Sequence, residues 1–158
     1  MEWEKVIKLL HSLAQLDIDA WHAYDQAIER CEEAAGVREK LAQYREDHRR
    51  HVSEIAARLR DYGEEPPDFS PSFKGYLIEG FTSLRSVTGV QGVLAAMRTN
   101  EQLTNRKYAE ALENDLPPEI RPLIEENFRD EQTHLRFIEE KLDLWVREKD
   151  TPERGQYY

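Results

Sequence analysis

Two stretches of this chain repeat one another, and the repeat limits what the chain can fold into. In Arg45-Glu46-Asp47-His48-Arg49-Arg50-His51, Asp47 precedes His51 by four residues. In Arg129-Asp130-Glu131-Gln132-Thr133-His134, Asp130 precedes His134 by the same four. With the two aspartates aligned, Ile55 falls on Ile138, Leu59 on Leu142, and His48 opposite Glu131. A second pair of segments repeats upstream: Asp17 stands seven residues before Tyr24, and Glu101 seven before Tyr108. The separations agree as well, 31 residues from Asp17 to His48 and 30 from Glu101 to Glu131. An acid-bearing segment followed by a histidine-bearing one, twice over, predicts two copies of a helical hairpin.

Apolar spacing gives the helices. Leu10, Leu13, Asp17, Trp21, Tyr24 and Ile28 recur three and four apart, which is one face of a helix over 3–33, with Asp19 off that face. Ala34-Ala35-Gly36 is read as its glycine stop. A second helix over 37–62 carries Leu41, Tyr44, His48, His51, Ile55 and Leu59, and Gly63 ends it. The prolines of Glu64–Ser72 exclude regular helix, and 73–83 mixes aromatics with glycines. A third helix over 82–114 carries Val90, Leu94, Met97, Glu101, Tyr108 and Leu112. A fourth starts near Pro118 and runs to 148, with Ile124, Phe128, Glu131, His134, Leu135, Ile138, Leu142 and Trp145 on its face. The expected organisation is an all-α bundle over 1–148. Its hairpins span 3–62 and 83–148, a long crossover spans 63–82, and a mobile tail covers 149–158.

Composition narrows the function classes. The chain has 158 residues, 39% apolar and 34% charged, which suits amphipathic helices and one domain. A net charge of −10 disfavours nucleic acid as a partner. The single Cys31 excludes a disulfide framework, a cysteine-rich zinc site and a rubredoxin-like cysteine cluster. Met1-Glu2-Trp3-Glu4-Lys5 lacks the basic start and apolar run of a signal peptide, and no segment is apolar enough to span a bilayer. The expectation is a cytoplasmic protein without a membrane partner.

The chemistry lies in the polar residues on the apolar faces. Glu131 and His134, three apart, project from one side of their helix, as do His48 and His51. Carboxylates and imidazoles pointing into a core are costly unless something pairs with them, and a metal ion is one such partner. Asp17, His48, His51, Glu101, Glu131 and His134 all fall mid-helix, so a bundle brings them to one level. Carboxylate with imidazole is a ligand set of first-row transition metals. Each group has a plainer reading as well. His48 and His51 also read as core histidines hydrogen-bonded to Asp17 or Glu101, Glu131 with His134 as a buried ion pair or surface pair, and Asp17 as a structural ion pair to His51. Asp47 and Asp130 read as solvated, His11 and His22 as off the pattern, Cys31 as a small buried residue, and the charge run Arg45–Arg50 as an outer face.

The order Asp17, His48-x-x-His51, Glu101, Glu131-x-x-His134, with Tyr24 and Tyr108 one heptad after each acid, resembles the ferritin-like superfamily. It is most similar to the rubrerythrin-type and other small bacterial bundles, over about residues 5–146. The resemblance implies a ferritin-like four-helix bundle with Glu101 and Glu131 as carboxylate ligands and His51 and His134 as imidazole ligands. If iron binds, Tyr24 or Tyr108 would be the hydrogen-bonding residues that orient these ligands. It implies iron, as two ions or one, with manganese or zinc as alternatives, and a ferroxidase- or peroxidase-type reaction of Fe(II) with dioxygen or peroxide. Asp17 stands where the family has Glu, and His48 where it has the second motif Glu. With three carboxylates in place of four, the expected centre is mononuclear, mixed, or a di-iron pair completed by an exogenous anion. The alternative is a non-catalytic bundle, an interaction or stress-associated protein with a degenerate site. A homodimer is compatible with bundles of this size.

Overall fold

The computed structural model describes residues 1–31, 34–70, 81–82, 84 and 86–150, with side chains described to residue 144. Four helices follow one another, and no strand occurs among the described residues: α1 (Trp3–Glu29), α2 (Ala35–Asp61), α3 (Gly89–Leu112) and α4 (Arg121–Asp150). α1 packs along α2 and α3 along α4, α1 also meets α3, and α2 touches α4 least. This is the pair of repeated hairpins that the sequence predicts, assembled into one bundle.

The stripes drive that assembly. Leu10, Leu13 and Ile28 of α1 are buried with Leu41, Ile55 and Leu59 of α2, Leu94 and Met97 of α3, and Ile124, Ile138 and Leu142 of α4. Removing each large aliphatic side chain from water contributes about 1.5–3 kcal/mol. Trp21 is only half-buried, with the Arg49 guanidinium 4.6 Å above its ring and His22 stacked beside it. Trp145 and the tail from residue 151 lie outside the described residues or side chains, as does 71–80, most of the crossover's ambiguous stretch.

Several boundaries differ from the sequence reading, each for a local reason. Gly36 is not a helix stop: α1 ends at Glu29, and Gly36 is the second residue of α2. Gly63 does end α2, at φ 77°, and the N–H of Glu64 returns to the Leu59 carbonyl at 2.9 Å, the bond that closes a Schellman turn. α3 begins at Gly89 rather than 82, again with φ 77°. Ahead of it the Thr82 N–H donates to Asn100 Oδ1 at 2.7 Å, so a buried asparagine straps this segment against α3. α4 begins at Arg121, with Pro118 in the preceding turn and Pro122 in the first turn, where no N–H is needed. The Arg121 guanidinium donates to the carbonyls of Leu112 (3.2 Å) and Asn114 (2.8 Å), satisfying acceptors at the end of α3.

Candidate metal centre

Each helix delivers its polar stripe residues to one depth. Asp17 from α1, His48 and His51 from α2, and Glu131 and His134 from α4 are 0% exposed, and Glu101 from α3 is 1% exposed. The six form two overlapping quartets, Asp17–His48–His51–Glu131 and His48–Glu101–Glu131–His134, with ligand atoms within 4.8 Å of one another in each. His48 and Glu131, opposite each other in the repeat, are the two members the quartets share.

In the first quartet Asp17 Oδ1 lies 2.8 Å from His48 Nδ1 and 3.1 Å from His51 Nδ1. Glu131 Oε1 lies 3.5 Å from His48 Nδ1 and 3.2 Å from His51 Nδ1. In the second, Glu101 Oε1 lies 3.4 Å from His48 Nε2 and 3.5 Å from His134 Nδ1, and Glu131 Oε2 lies 3.6 Å from His134 Nδ1. A four-coordinate ion with bonds of about 2.0–2.1 Å spaces its ligand atoms about 3.3–3.4 Å apart, close to most of these separations. Both Glu131 oxygens and His134 Nδ1 are buried without a hydrogen-bond partner, although nitrogens and oxygens face each other at ion-pair distance. Proximity without directed hydrogen bonds is what a cation between them relieves. The residues fit a metal.

Around the cage runs a reciprocal set of supports. His51 Nε2 donates to Asp130 on α4 at 2.9 Å, and His134 Nε2 donates to Asp47 on α2 at 2.8 Å. Each of these imidazoles therefore turns Nδ1 inward, with its outer nitrogen fixed by a carboxylate of the opposite hairpin. Tyr24 of α1 donates to Glu101 of α3, and Tyr108 of α3 donates to Asp17 of α1. Thr104 Oγ1 donates to Glu101 Oε2 at 3.0 Å. Asn105 Nδ2 donates to the Glu101 carbonyl at 2.8 Å and the Glu131 carbonyl at 2.9 Å, pinning α3 to α4 at the centre.

Electrostatics follow from burial and proximity. Burial pushes the Asp17 carboxyl up, but His51 and His48 outweigh it and bring its pKa to about 2. Burial pushes His48 down, yet Glu131, Asp17 and Glu101 raise it to about 9. His51 and His134 are raised in the same way against their burial, chiefly by Asp17 and Glu101 respectively, and Glu101 is lowered against its burial by His134 and His48. Tyr24 and Tyr108 are pushed well above the ordinary phenol value by burial and by the carboxylates beside them, so both remain donors at neutral pH.

All six residues singled out from the sequence meet, and both tyrosines stand behind them. Asp47 and Asp130 are not free solvated acids; they are partly buried partners of the histidines. Arg50 is likewise more than outer face, since it pairs with Asp130 and approaches Asp47 at 3.5 Å. His22 stays off the centre, with Nε2 3.0 Å from the Phe69 carbonyl, and Cys31 is buried, its thiol pKa raised by that burial. The sequence reading missed Asp19, Asn100 and Asn127, all fully or nearly fully buried. Asp19 accepts from Gln15 at 3.2 Å and lines a 570 Å³ groove between α1 and α3 that none of the six residues borders.

The profile of a family described only as a domain of unknown function, DUF2383, matches residues 5–114. The match takes in Asp17, His48, His51 and Glu101 and stops short of α4. No curated protein matches the chain. Among solved structures, a mutant of Dps1 from Mycobacterium smegmatis superposes with a TM-score of 0.78 at 18% identity, covering 90% of this chain and 99% of that one. A bacterioferritin from Rhodobacter capsulatus, described with a metal-free dinuclear site and heme iron, gives a TM-score of 0.74 at 21% identity, over 93% of this chain and 89% of that one. At these identities the likeness establishes the fold, a ferritin-like four-helix bundle. With more than half of its length matched by the profile, the chain belongs to the DUF2383 family.

Proposed function

We propose that this protein binds iron at the bundle centre and promotes oxidation of Fe(II) by dioxygen or peroxide. One observation carries the reading: six buried ligand-type side chains form two overlapping quartets, yet Glu131 and one nitrogen of His134 have no hydrogen-bond partner within them. The fold likeness to a bacterioferritin described with a dinuclear site supports the same assignment. Bound iron supplies the redox couple, Fe(II) to Fe(III), with the oxidant taking up the electron.

The chain's own residues set the conditions for that chemistry. Asp17 and Glu101 each close one cage, and Glu131 presents one oxygen to each. Asp130 and Asp47 hold the outer N–H of His51 and His134, keeping the inner nitrogens available as ligands. Tyr24 and Tyr108 fix the orientation of Glu101 and Asp17 and stay protonated. The surrounding aliphatic side chains exclude water.

The test is the metal content of protein loaded anaerobically with Fe(II) and desalted. Wild type is expected to retain iron, and Glu131→Ala combined with His134→Ala to lose it while keeping its helical circular dichroism. A wild-type protein that folds but emerges metal-free after loading overturns the reading.

One observation favours a second reading, a non-catalytic bundle with a purely ionic core. Three raised imidazoles face three carboxylates, so the centre neutralises itself by holding protons. The same loading experiment separates the two.

A further inference from the structure

The two ring nitrogens of His48 face different cages, and neither is engaged outside them. Nδ1 lies 2.8 Å from Asp17 Oδ1 and 3.5 Å from Glu131 Oε1 in the first quartet, whereas Nε2 lies 3.4 Å from Glu101 Oε1 in the second. His51 and His134 behave otherwise: each gives Nε2 to an aspartate outside the cage and keeps only Nδ1 for it. Glu131 shows the pattern of His48, with Oε1 toward His51 at 3.2 Å and Oε2 toward His134 at 3.6 Å. We infer that His48 bridges two metal ions through its imidazole ring, taking the place of a second bridging carboxylate. This inference rests on the metal-centre reading above.

Charge supports the assignment. Two divalent ions bring four positive charges, and Asp17, Glu101 and Glu131 supply three negative ones. An imidazole bound to metal through both nitrogens has given up its ring proton to solvent and carries one negative charge, the fourth. The centre then closes without an exogenous anion, and each ion has two nitrogen and two oxygen ligands, a set suited to Zn(II), Fe(II) or Cu(II). Spacing is the distinguishing consequence. Bonds of about 2.0–2.1 Å on the diverging lone pairs of one ring hold the ions about 6 Å apart, against about 3.5–4 Å in ordinary two-metal sites.

The probe is Zn(II), with stoichiometry from equilibrium dialysis and ion positions from anomalous scattering in crystals of the loaded protein. Wild type is expected to bind two ions about 6 Å apart, as the bond lengths above require. His48→Glu is expected to bring them to about 3.5–4 Å, the spacing of carboxylate-bridged pairs. His48→Gln, which cannot donate from two diverging nitrogens, is expected to hold the second ion at least about 10-fold more weakly, the lower end of what losing a supporting group at a metal costs. Two ions within about 4 Å in wild type, one ion only, or full second-ion affinity in His48→Gln overturns the bridge while leaving a metal site. A wild type that binds no ion overturns the bridge and the proposed function together. Should His48→Glu fail to fold, the wild-type separation and the His48→Gln stoichiometry decide.

Discussion

His134 on α4 and Asp47 on α2 are joined by a hydrogen bond of 2.8 Å, and the repeat partners His51 and Asp130 by one of 2.9 Å in the opposite sense. The same exchange recurs on the other two helices, where Tyr24 reaches Glu101 and Tyr108 reaches Asp17. The duplication is therefore visible in the geometry: corresponding residues meet as crossed pairs about the centre.

Removing one of these supports should weaken metal binding without unfolding the bundle. Asp47→Ala or Asp130→Ala is expected to lower affinity for Zn(II) or Fe(II) by about 10–100-fold, the usual cost of losing the carboxylate behind a ligating histidine. Competition with a chromophoric chelator measures it. Unchanged affinity in both variants would remove Asp47 and Asp130 from the centre.

The tyrosines should act on stability. Tyr24→Phe and Tyr108→Phe each leave a buried carboxylate without its phenol donor, and a hydrogen bond to a charged group contributes about 1.5–3 kcal/mol. A loss of that order in urea denaturation of the metal-free protein is the expected outcome for each. A change below about 0.5 kcal/mol, the scale of an ordinary surface substitution, would mean the carboxylate finds water instead.

The pH dependence of the metal-free protein follows from two shifted groups. His48 is raised from 6.5 to about 9, so its contribution is fully present below 6.5 and is lost as pH rises through about 9. Asp17 is lowered from 3.8 to about 2, so its contribution is present above 3.8 and is lost as pH falls through about 2. Thermal melts in the presence of a chelator should decline between pH 7 and pH 9. Metal affinity should rise over the same interval, because the imidazoles must shed protons to coordinate. A melting temperature that is flat to pH 9 would contradict the protonated core.

Two glycines should respond oppositely to alanine. Gly36 lies in the first turn of α2 with nothing within 4 Å of a Cβ placed there, so Gly36→Ala should stabilise by about 0.4–1 kcal/mol. Gly63 has equal space but φ 77°, and Gly63→Ala should cost about 1–2 kcal/mol. Equilibrium denaturation of the pair checks both signs, and a stabilising Gly63→Ala would contradict the left-handed turn.

The bundle and its six central residues were legible because both depend on stripe position. Asp17, His48 and Glu131 sit where leucine would otherwise pack, and periodicity exposes that directly. The partners were harder to read. Asp47 and Asp130 lie one position off the stripe, and only the spatial neighbour shows that they serve a histidine. Asp19 is off the regular pattern as well, whereas Asn127 sits on it, three after Ile124 and four before Glu131, and both are 0% exposed. The start of α3 was hidden for another reason. Its preceding segment is tied down by the bond from Thr82 to Asn100, which spans 18 residues and so leaves no trace in local periodicity.

The crossed pairing has one more result. Every inner histidine with a carboxylate at its back, and every acid held by a phenol, borrows that support from the other half of the molecule. A lone hairpin would thus lack these carboxylate and phenol supports, though Thr104 would still hold Glu101. If the centre holds an ion as proposed, its capture and the docking of the two halves become a single event, and any agent that pries the halves apart should release it.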